Sequence, residues 1–212
     1  EALVGREWIV TNGLGGYAAG TIAGTATRRY HGLLVAAHQA PAARWVLVAG
    51  ADLSILAEGR EIPLSAQEYP NGLFAPAGLC PPQSFELVGQ RPVWRWRPDE
   101  HDVEQTVWMS YGENRTCVRL RNRGTRTVTL RWRPFAPMRW FHDLARDDSA
   151  AVEVTCEVGD RVRISAPSAP LDGLIAGSGW SFRPVALWYW NFVRRVERSR
   201  GFDSEEDVFS PG

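Results

Sequence analysis

The chain has 212 residues, 44% of them apolar and 11% aromatic, which is enough to bury a sizeable core in one domain. Its 24 basic residues balance 24 acidic ones, so net charge favours neither nucleic acid nor an anionic membrane as a partner. Three widely spaced cysteines argue against a disulfide framework and a zinc site, and no apolar run reaches the length of a membrane span. With no leader-like opening, the expected location is cytoplasmic.

The first informative segment in chain order is "TNGLGGYAAGTIAG", residues 11–24, which follows the apolar run "EWIV". Gly13, Gly15 and Ala18 match the G-x-G-x-x-G/A spacing that binds a pyrophosphate. A dinucleotide loop also needs a helix after the glycines and an acidic residue about 20 positions later. The small residues that follow instead favour a strand or bend that another segment approaches closely. We therefore expect no nucleotide here, and we expect no cofactor or metal elsewhere.

The next segment, "TRRYHG" at residues 27–32, combines two guanidiniums, a phenol and an imidazole beside a glycine. Arginine and histidine suit sugar hydroxyls or the carboxylates of a neighbouring domain. Strand alternation would send Arg28 and Tyr30 to one face and Arg29 and His31 to the other. The structural alternative is that one arginine is a buried anchor for carbonyl or acidic groups, and that His31 is a satisfied structural residue.

Alternation of period two dominates the rest of the chain and predicts antiparallel strands. In "RPVWRWRP", Trp94 and Trp96 fall on one face and the arginines on the other. The segment 116–135 alternates in the same way, and its central "NRGTR" is interpreted as a hairpin turn, with "VGDR" at 158–161 as a second one. Residues 67–84 form the main loop, and only short helical turns are expected because glycine and proline are frequent. The predicted fold is an all-β, antiparallel two-sheet sandwich.

Two side-chain patterns within these strands allow a functional and a structural interpretation. The pairs Trp94 with Trp96 and Trp188 with Trp190 suit stacking on sugar rings, but aromatic residues at this spacing more often fill a core or an interface. The arginines from Arg119 to Arg133, with one tryptophan, resemble a nucleic-acid surface, yet the same alternation describes the outer face of an ordinary hairpin.

Clustered carboxylates occur at Asp147 and Asp148 and in the tail 198–212. Glycoside hydrolysis uses a pair of carboxylates, one of which needs a raised pKa. Neither cluster has apolar surroundings in the sequence, so both are interpreted as solvated loops and no catalytic residue is assigned.

Two separated segments carry a family resemblance. Residues 7–37 contain W-x-x-T-N-G-x-G-G-Y followed by T-R-R-Y-H-G-L-L, and residues 197–212 contain E-x-x-R-G-x-D-x-x-E-D-x-x-x-P-G. Both resemble the N-terminal domain of bacterial and archaeal glycogen debranching enzymes of the amylo-α-1,6-glucosidase type. The resemblance spans residues 1–212 as one domain and implies a β-supersandwich placed before a catalytic (α/α) barrel.

The resemblance further implies that this chain is not itself catalytic and that its partners are the catalytic domain of the same protein and a glycogen-like α-glucan. The residues expected to bind substrate or the barrel are Asn12, Tyr17, Arg28, Arg29, Tyr30 and His31. Gly13, Gly15 and Gly16 are expected to form a tight turn, at least one with positive φ, packed against "TRRYHG" with part of that segment exposed. A freestanding carbohydrate-binding module is the alternative, followed by a nucleic-acid-binding β domain.

Overall fold

The computed structural model describes residues 2–39, 42–76, 78, 80–147, 151–157 and 160–212. Strands and their connections make up almost all of it. The strands are Glu7–Thr11 (β1), Tyr17–Thr21 (β2), Gly32–Gln39 (β3), Ala43–Val48 (β4), Gly50–Ala57 (β5), Arg60–Pro63 (β6), Gln67–Glu68 (β7), Phe74–Ala75 (β8), Ser84–Val88 (β9), Arg91–Trp96 (β10), Val103–Met109 (β11), Thr116–Asn122 (β12), Thr129–Phe135 (β13), Arg139–Trp140 (β14), Glu153–Glu157 (β15), Arg161–Ser165 (β16), Gly173–Ala176 (β17), Leu187–Val193 (β18) and Glu205–Ser210 (β19). The helical turns are the 3₁₀ turn Pro70–Gly72 and the α-helix Arg195–Ser199 (α1).

The strands form antiparallel sheets, so the predicted all-β sandwich is confirmed. The largest sheet has the order β1-β2-β3-β4-β14, and a four-stranded sheet has the order β12-β11-β10-β9. Smaller sheets are β13-β5-β6, β15-β16-β17, β18-β19 and β7-β8. No helix among the described residues is long and apolar enough to cross a membrane.

The middle of the five-stranded sheet is covered on both faces. Val35 and Val46 pack with Phe135, Phe192 and other apolar side chains of β13, β18 and β19. Their chain neighbours on β3 and β4 point the other way, into a cluster built with β16. A third cluster joins β1 and β2 to the four-stranded sheet and to β5, and it contains both tryptophans of "RPVWRWRP". The core interpretation of those tryptophans is therefore correct, at 3% and 6% exposure.

The predicted hairpin at "NRGTR" is wrong. Strand β12 pairs with β11 and β13 pairs with β5, so the segment 122–126 carries the chain between two sheets. The Asn122 side chain accepts a hydrogen bond from Gly124 N (3.0 Å) and donates one to Arg126 O (2.6 Å), which closes the loop locally. The segment 122–126 thus bends the chain without joining β12 to β13 in a hairpin. The second turn, at 158–161, lies partly outside the described residues.

The arginine stripe is consequently not one hairpin face. Arg119 and Arg121 are exposed on β12, whereas Arg131 lies on β13 in a different sheet and forms an ion pair with Glu61 of β6. The stripe is divided between two sheets, and part of its charge is neutralised.

Candidate functional site

The glycine loop, defined here as residues 12–16, connects β1 to β2 at one end of the five-stranded sheet. Gly13 has φ = 78° and Gly15 has φ = 92°, as the sequence predicted for at least one of these positions. These values favour glycine because a Cβ is strained there. Strand β2 begins at Tyr17 directly after the loop, so no helix N-terminus is present to receive a pyrophosphate. The structure therefore excludes the dinucleotide-loop interpretation.

Asn12 organises this loop. Its Oδ1 accepts hydrogen bonds from Leu14 N (2.9 Å) and Gly16 N (3.0 Å). Its Nδ2 donates to Glu113 O and to Asn114 Oδ1, both at 3.0 Å. The side chain is fully buried and uses both amide atoms within the protein, so it shapes the loop rather than facing a ligand.

A second loop, residues 110–115 between β11 and β12, is fastened to the glycine loop. Gly112 N donates to Asn12 O at 2.8 Å. A Cβ on Gly16 would lie 2.6 Å from Asn12 Nδ2 and 2.8 Å from Asn114 Oδ1, so only glycine fits there. The sequence analysis missed Asn114 because it is about a hundred residues from Asn12 along the chain.

The segment "TRRYHG" is a turn, so the predicted alternation of its faces is wrong. His31 N donates to Arg28 O at 3.1 Å, which brings residues three apart to the same side. Arg28 Nε lies 2.6 Å and His31 Nε2 3.4 Å from Glu7 Oε1. Arg29 and Tyr30 instead both contact His142.

Arg29 behaves largely as the anchor that the structural alternative described. Its guanidinium donates to His142 O (2.8 Å) and Asp203 O (3.0 Å), and its Nε lies 3.5 Å from Glu197 Oε2. Its backbone N also donates to Glu197 Oε1 at 3.3 Å. Glu197 is buried, so this pair holds the turn against the closing segment of the chain.

His31 is buried and both ring nitrogens are engaged. Nδ1 accepts a hydrogen bond from Thr27 N at 3.1 Å, and Nε2 faces Glu7. Burial lowers the pKa of His31 to about 4, with Arg194 and Arg28 acting in the same direction and Glu7 opposing them. This geometry supports a structural role for the imidazole.

The stability of the domain is expected to fall as the pH drops from about 6.5 to about 4. In this window the unfolded chain binds a proton at His31 that the folded chain does not, so unfolding becomes more favourable by up to about 1.4 kcal/mol per pH unit. Urea unfolding of wild type and His31→Gln measures the effect, and the variant should have the flatter profile. His38→Gln, at an exposed histidine, is the control. Parallel profiles for wild type and His31→Gln would contradict this assignment.

An aromatic group lies beside the turn and is called here the Tyr30–His142 cluster: Tyr30, Trp140, Phe141 and His142. The Tyr30 hydroxyl and His142 Nδ1 form a 3.1 Å hydrogen bond. The His142 ring centroid lies 3.9 Å from that of Phe141 and 4.6 Å from that of Trp140. Trp140 is 40% exposed and His142 is exposed, so this packed group presents polar and aromatic surface to solvent.

Tyr17 and Arg44 connect the cluster to the glycine loop. The Tyr17 hydroxyl donates to Tyr30 O at 2.9 Å, and burial raises the pKa of Tyr17, which keeps this donor protonated. Arg44 Nε donates to Gly15 O at 2.6 Å, while its guanidinium carbon lies 5.5 Å from the Phe141 ring centroid. The glycine loop lies at the Thr11 end of the β1–β2 hairpin, whereas Arg28 and His31 face Glu7 at its other end, so Tyr17 and Arg44 connect two separate segments and the predicted packing of one against the other stays a prediction.

A buried ion network lies beneath the turn. Glu206 is fully buried between Arg139 and Arg194, and each of its carboxylate oxygens pairs with one guanidinium. Arg139 also donates to Arg29 O (2.7 Å) and Arg194 to Ala26 O (3.1 Å). Burial alone would raise the pKa of Glu206, but the two arginines outweigh it and hold that pKa at about 2.

This network corrects the interpretation of the tail as a solvated segment. Residues 205–210 form strand β19, and Glu206 and Asp207 are buried, because guanidinium and backbone groups from distant segments compensate their charge. Asp207 accepts hydrogen bonds from Asn191 N (2.9 Å) and Asp147 N (3.3 Å). The Asp147 carboxylate accepts one from Trp190 Nε1 at 2.7 Å, and Asp148 lies outside the described residues.

These carboxylates do not form an acid and base pair. Glu206 is ionised at neutral pH and is enclosed by arginines, so it has no proton to give to a leaving group. Among the described residues, no group of three histidine, cysteine or acidic side chains is placed to hold a metal ion.

The sequence analysis missed the segment 138–143, "MRWFHD", which supplies Arg139 and three members of the cluster. Its density of arginine, aromatic and histidine side chains is the same signal that drew attention to "TRRYHG". The two segments are about 110 residues apart in sequence but share a hydrogen bond in the fold.

Residues 6–212 match the family model for the N-terminal domain of glycogen debranching enzyme. Comparisons with curated proteins and with solved structures found no significant match. The family match covers both segments that carry the sequence resemblance and every residue of the site described above. The chain therefore belongs to the glycogen debranching enzyme N-terminal family.

Proposed function

We propose that this domain packs against the catalytic domain of a glycogen debranching enzyme and contributes one lip of its α-glucan site. The observation that carries the proposal is the Tyr30–His142 cluster, in which Trp140 and His142 are exposed and which Arg44 connects to the glycine loop. Aromatic faces suit the C–H surfaces of sugar rings, and imidazole, phenol and guanidinium groups suit their hydroxyls. The cluster includes Tyr30 of the "TRRYHG" segment.

Preorganisation of this surface supports the proposal. Arg29, Arg139 and Tyr17 hold the Tyr30 backbone region through hydrogen bonds, so little conformational entropy remains to be lost on binding. In this proposal Tyr30, Trp140 and His142 meet the glucan or the catalytic domain. Asn12, Tyr17, Arg29 and His31 position them, and Arg28 lies at the edge beside Glu7. The three cysteines are free thiols, which supports a cytoplasmic location.

The alternative is a freestanding carbohydrate-binding module. One observation favours it: Trp190 is 53% exposed, and its indole N–H is bound to Asp147, which fixes the orientation of the ring. A module that works alone would bind glycogen equally well with and without a catalytic domain, whereas a lip would not.

We expect Trp140→Ala to raise the KM of the domain-containing enzyme for a branched glucan roughly tenfold and to leave kcat nearly unchanged. The reason is that a lip residue contributes binding in the ground state and the transition state alike. Steady-state kinetics on a limit dextrin measure the effect. Leu174→Ala, on the exposed edge strand β17, is the control. An unchanged KM for Trp140→Ala would mean that the Tyr30–His142 cluster is not part of the glucan site.

A further inference from the structure

Tyr111 stands out at the tip of the loop 110–115, because its side chain is 89% exposed. Exposure of a single aromatic residue is ordinary and carries no argument alone. The unusual feature is the backbone against which this ring packs. A Cβ built on Gly13 would lie 2.5 Å from Tyr111 Cε2 and 3.0 Å from both Cδ2 and Cζ, so the ring lies over the bare backbone of that glycine.

Hydrogen bonds hold the backbone of both loops that form this contact. Gly13 has φ = 78°, and the loop around it is held by the Asn12 side chain. The loop that carries Tyr111 is held by hydrogen bonds from Gly112 N to Asn12 O (2.8 Å) and from Asn12 Nδ2 to Glu113 O (3.0 Å). Asn12 thus holds the backbone of both loops, and the Tyr111 ring is presented to solvent over Gly13.

The loop that carries this ring also carries charged and polar side chains. Arg115 forms an ion pair with Glu113 at 2.8 Å, and its Nε donates to Ser110 Oγ at 2.9 Å. Both charged side chains are more than half exposed, so they keep hydrogen-bonding capacity for a ligand. An aromatic face with hydrogen-bond donors and acceptors on the same loop suits a pyranose ring.

Successive contacts connect Tyr111 to the Tyr30–His142 cluster. The ring lies over Gly13, Gly15 O accepts a hydrogen bond from Arg44, and Arg44 lies over Phe141. We propose that Tyr111 is a second stacking platform for the α-glucan, so that this edge of the domain binds a run of several glucose units. This inference rests on the proposed function and extends it to a residue outside both motif segments.

The test uses the domain-containing enzyme, because a lip binds fully only beside its catalytic domain, with maltoheptaose and maltose as probes and affinities measured by calorimetry. Tyr111→Ala should weaken maltoheptaose binding between about threefold and tenfold, because one ring contact is lost. Maltose binding should not change, because a disaccharide engages the cluster alone. Tyr111→Phe should retain the wild-type affinity, since the ring face provides the contact. Leu87→Ala, at another highly exposed side chain, is the control.

A double-mutant cycle separates the platform from a loop defect. Gly13→Ala displaces the ring, so it should weaken maltoheptaose binding in wild type and have little further effect in Tyr111→Ala. Wild-type affinity for Tyr111→Ala would overturn the proposal. If Trp140→Ala weakens binding while Tyr111→Ala does not, the proposal of a second platform is contradicted, but the proposed function as a lip of the glucan site is not. If neither Trp140→Ala nor Tyr111→Ala weakens maltoheptaose binding by that enzyme, both fail.

Discussion

Replacing Glu206 by Gln is expected to lower the free energy of unfolding by about 3–5 kcal/mol. The substitution keeps the shape of the side chain but removes the negative charge that neutralises Arg139 and Arg194, both nearly fully buried. Two desolvated guanidiniums would then face each other without a counter-charge. For a domain with a typical stability of about 5–15 kcal/mol, this is a large fraction. Denaturant unfolding followed by tryptophan fluorescence measures it.

Glu205→Gln is the matched control, one residue away. Glu205 pairs at 2.9 Å with Arg198 on the surface, where both side chains are about 40% exposed, so the change should be below about 0.5 kcal/mol. Equal effects of the two substitutions would show that the buried network does not stabilise the fold. The ionised state of Glu206 contributes stability above its ordinary pKa of 4.5, and this contribution is lost as the pH falls toward 2.

The strands were predictable because half-buried strands alternate. Val118 and Leu120 pack on the core and Arg119 points away from it, as the pattern of β12 indicates. The pairing of strands was not predictable from the same pattern. A turn sequence such as 122–126 indicates only that the chain bends, and whether β12 and β13 then pair depends on partners far away in the sequence.

The site shows the same division between local and distant causes. Positive φ at Gly13 and Gly15 follows from local sequence, since glycine is the residue that tolerates it. The burial of Glu206 does not follow from local sequence, because a cluster of acidic residues predicts a solvated segment unless basic side chains pack against it. Arg139 is 67 residues away along the chain. The same holds for Tyr111 over Gly13, a contact that only the fold creates.

Asn12→Ala is expected to lower the free energy of unfolding by about 2–4 kcal/mol, because it leaves several backbone groups without partners. The amide group satisfies the N–H groups of Leu14 and Gly16 and the carbonyl of Glu113, and the site is fully buried. The two loops that it joins should then separate locally before the core unfolds. Amide hydrogen exchange at Gly16 and Gly112 is expected to accelerate more than exchange in the core strands.

Asn122→Ala provides a matched control, because Asn122 makes the same kind of side-chain hydrogen bonds across a loop, to Gly124 N and Arg126 O, but is exposed. Water replaces its partners, so the cost should stay below about 1 kcal/mol and the exchange of Gly16 should not change. A similar loss of stability in both variants would mean that burial adds nothing to the role of Asn12. Unchanged amide exchange at Gly112 in Asn12→Ala would mean that other contacts hold the loop 110–115. The position of Tyr111 would then not depend on the glycine loop.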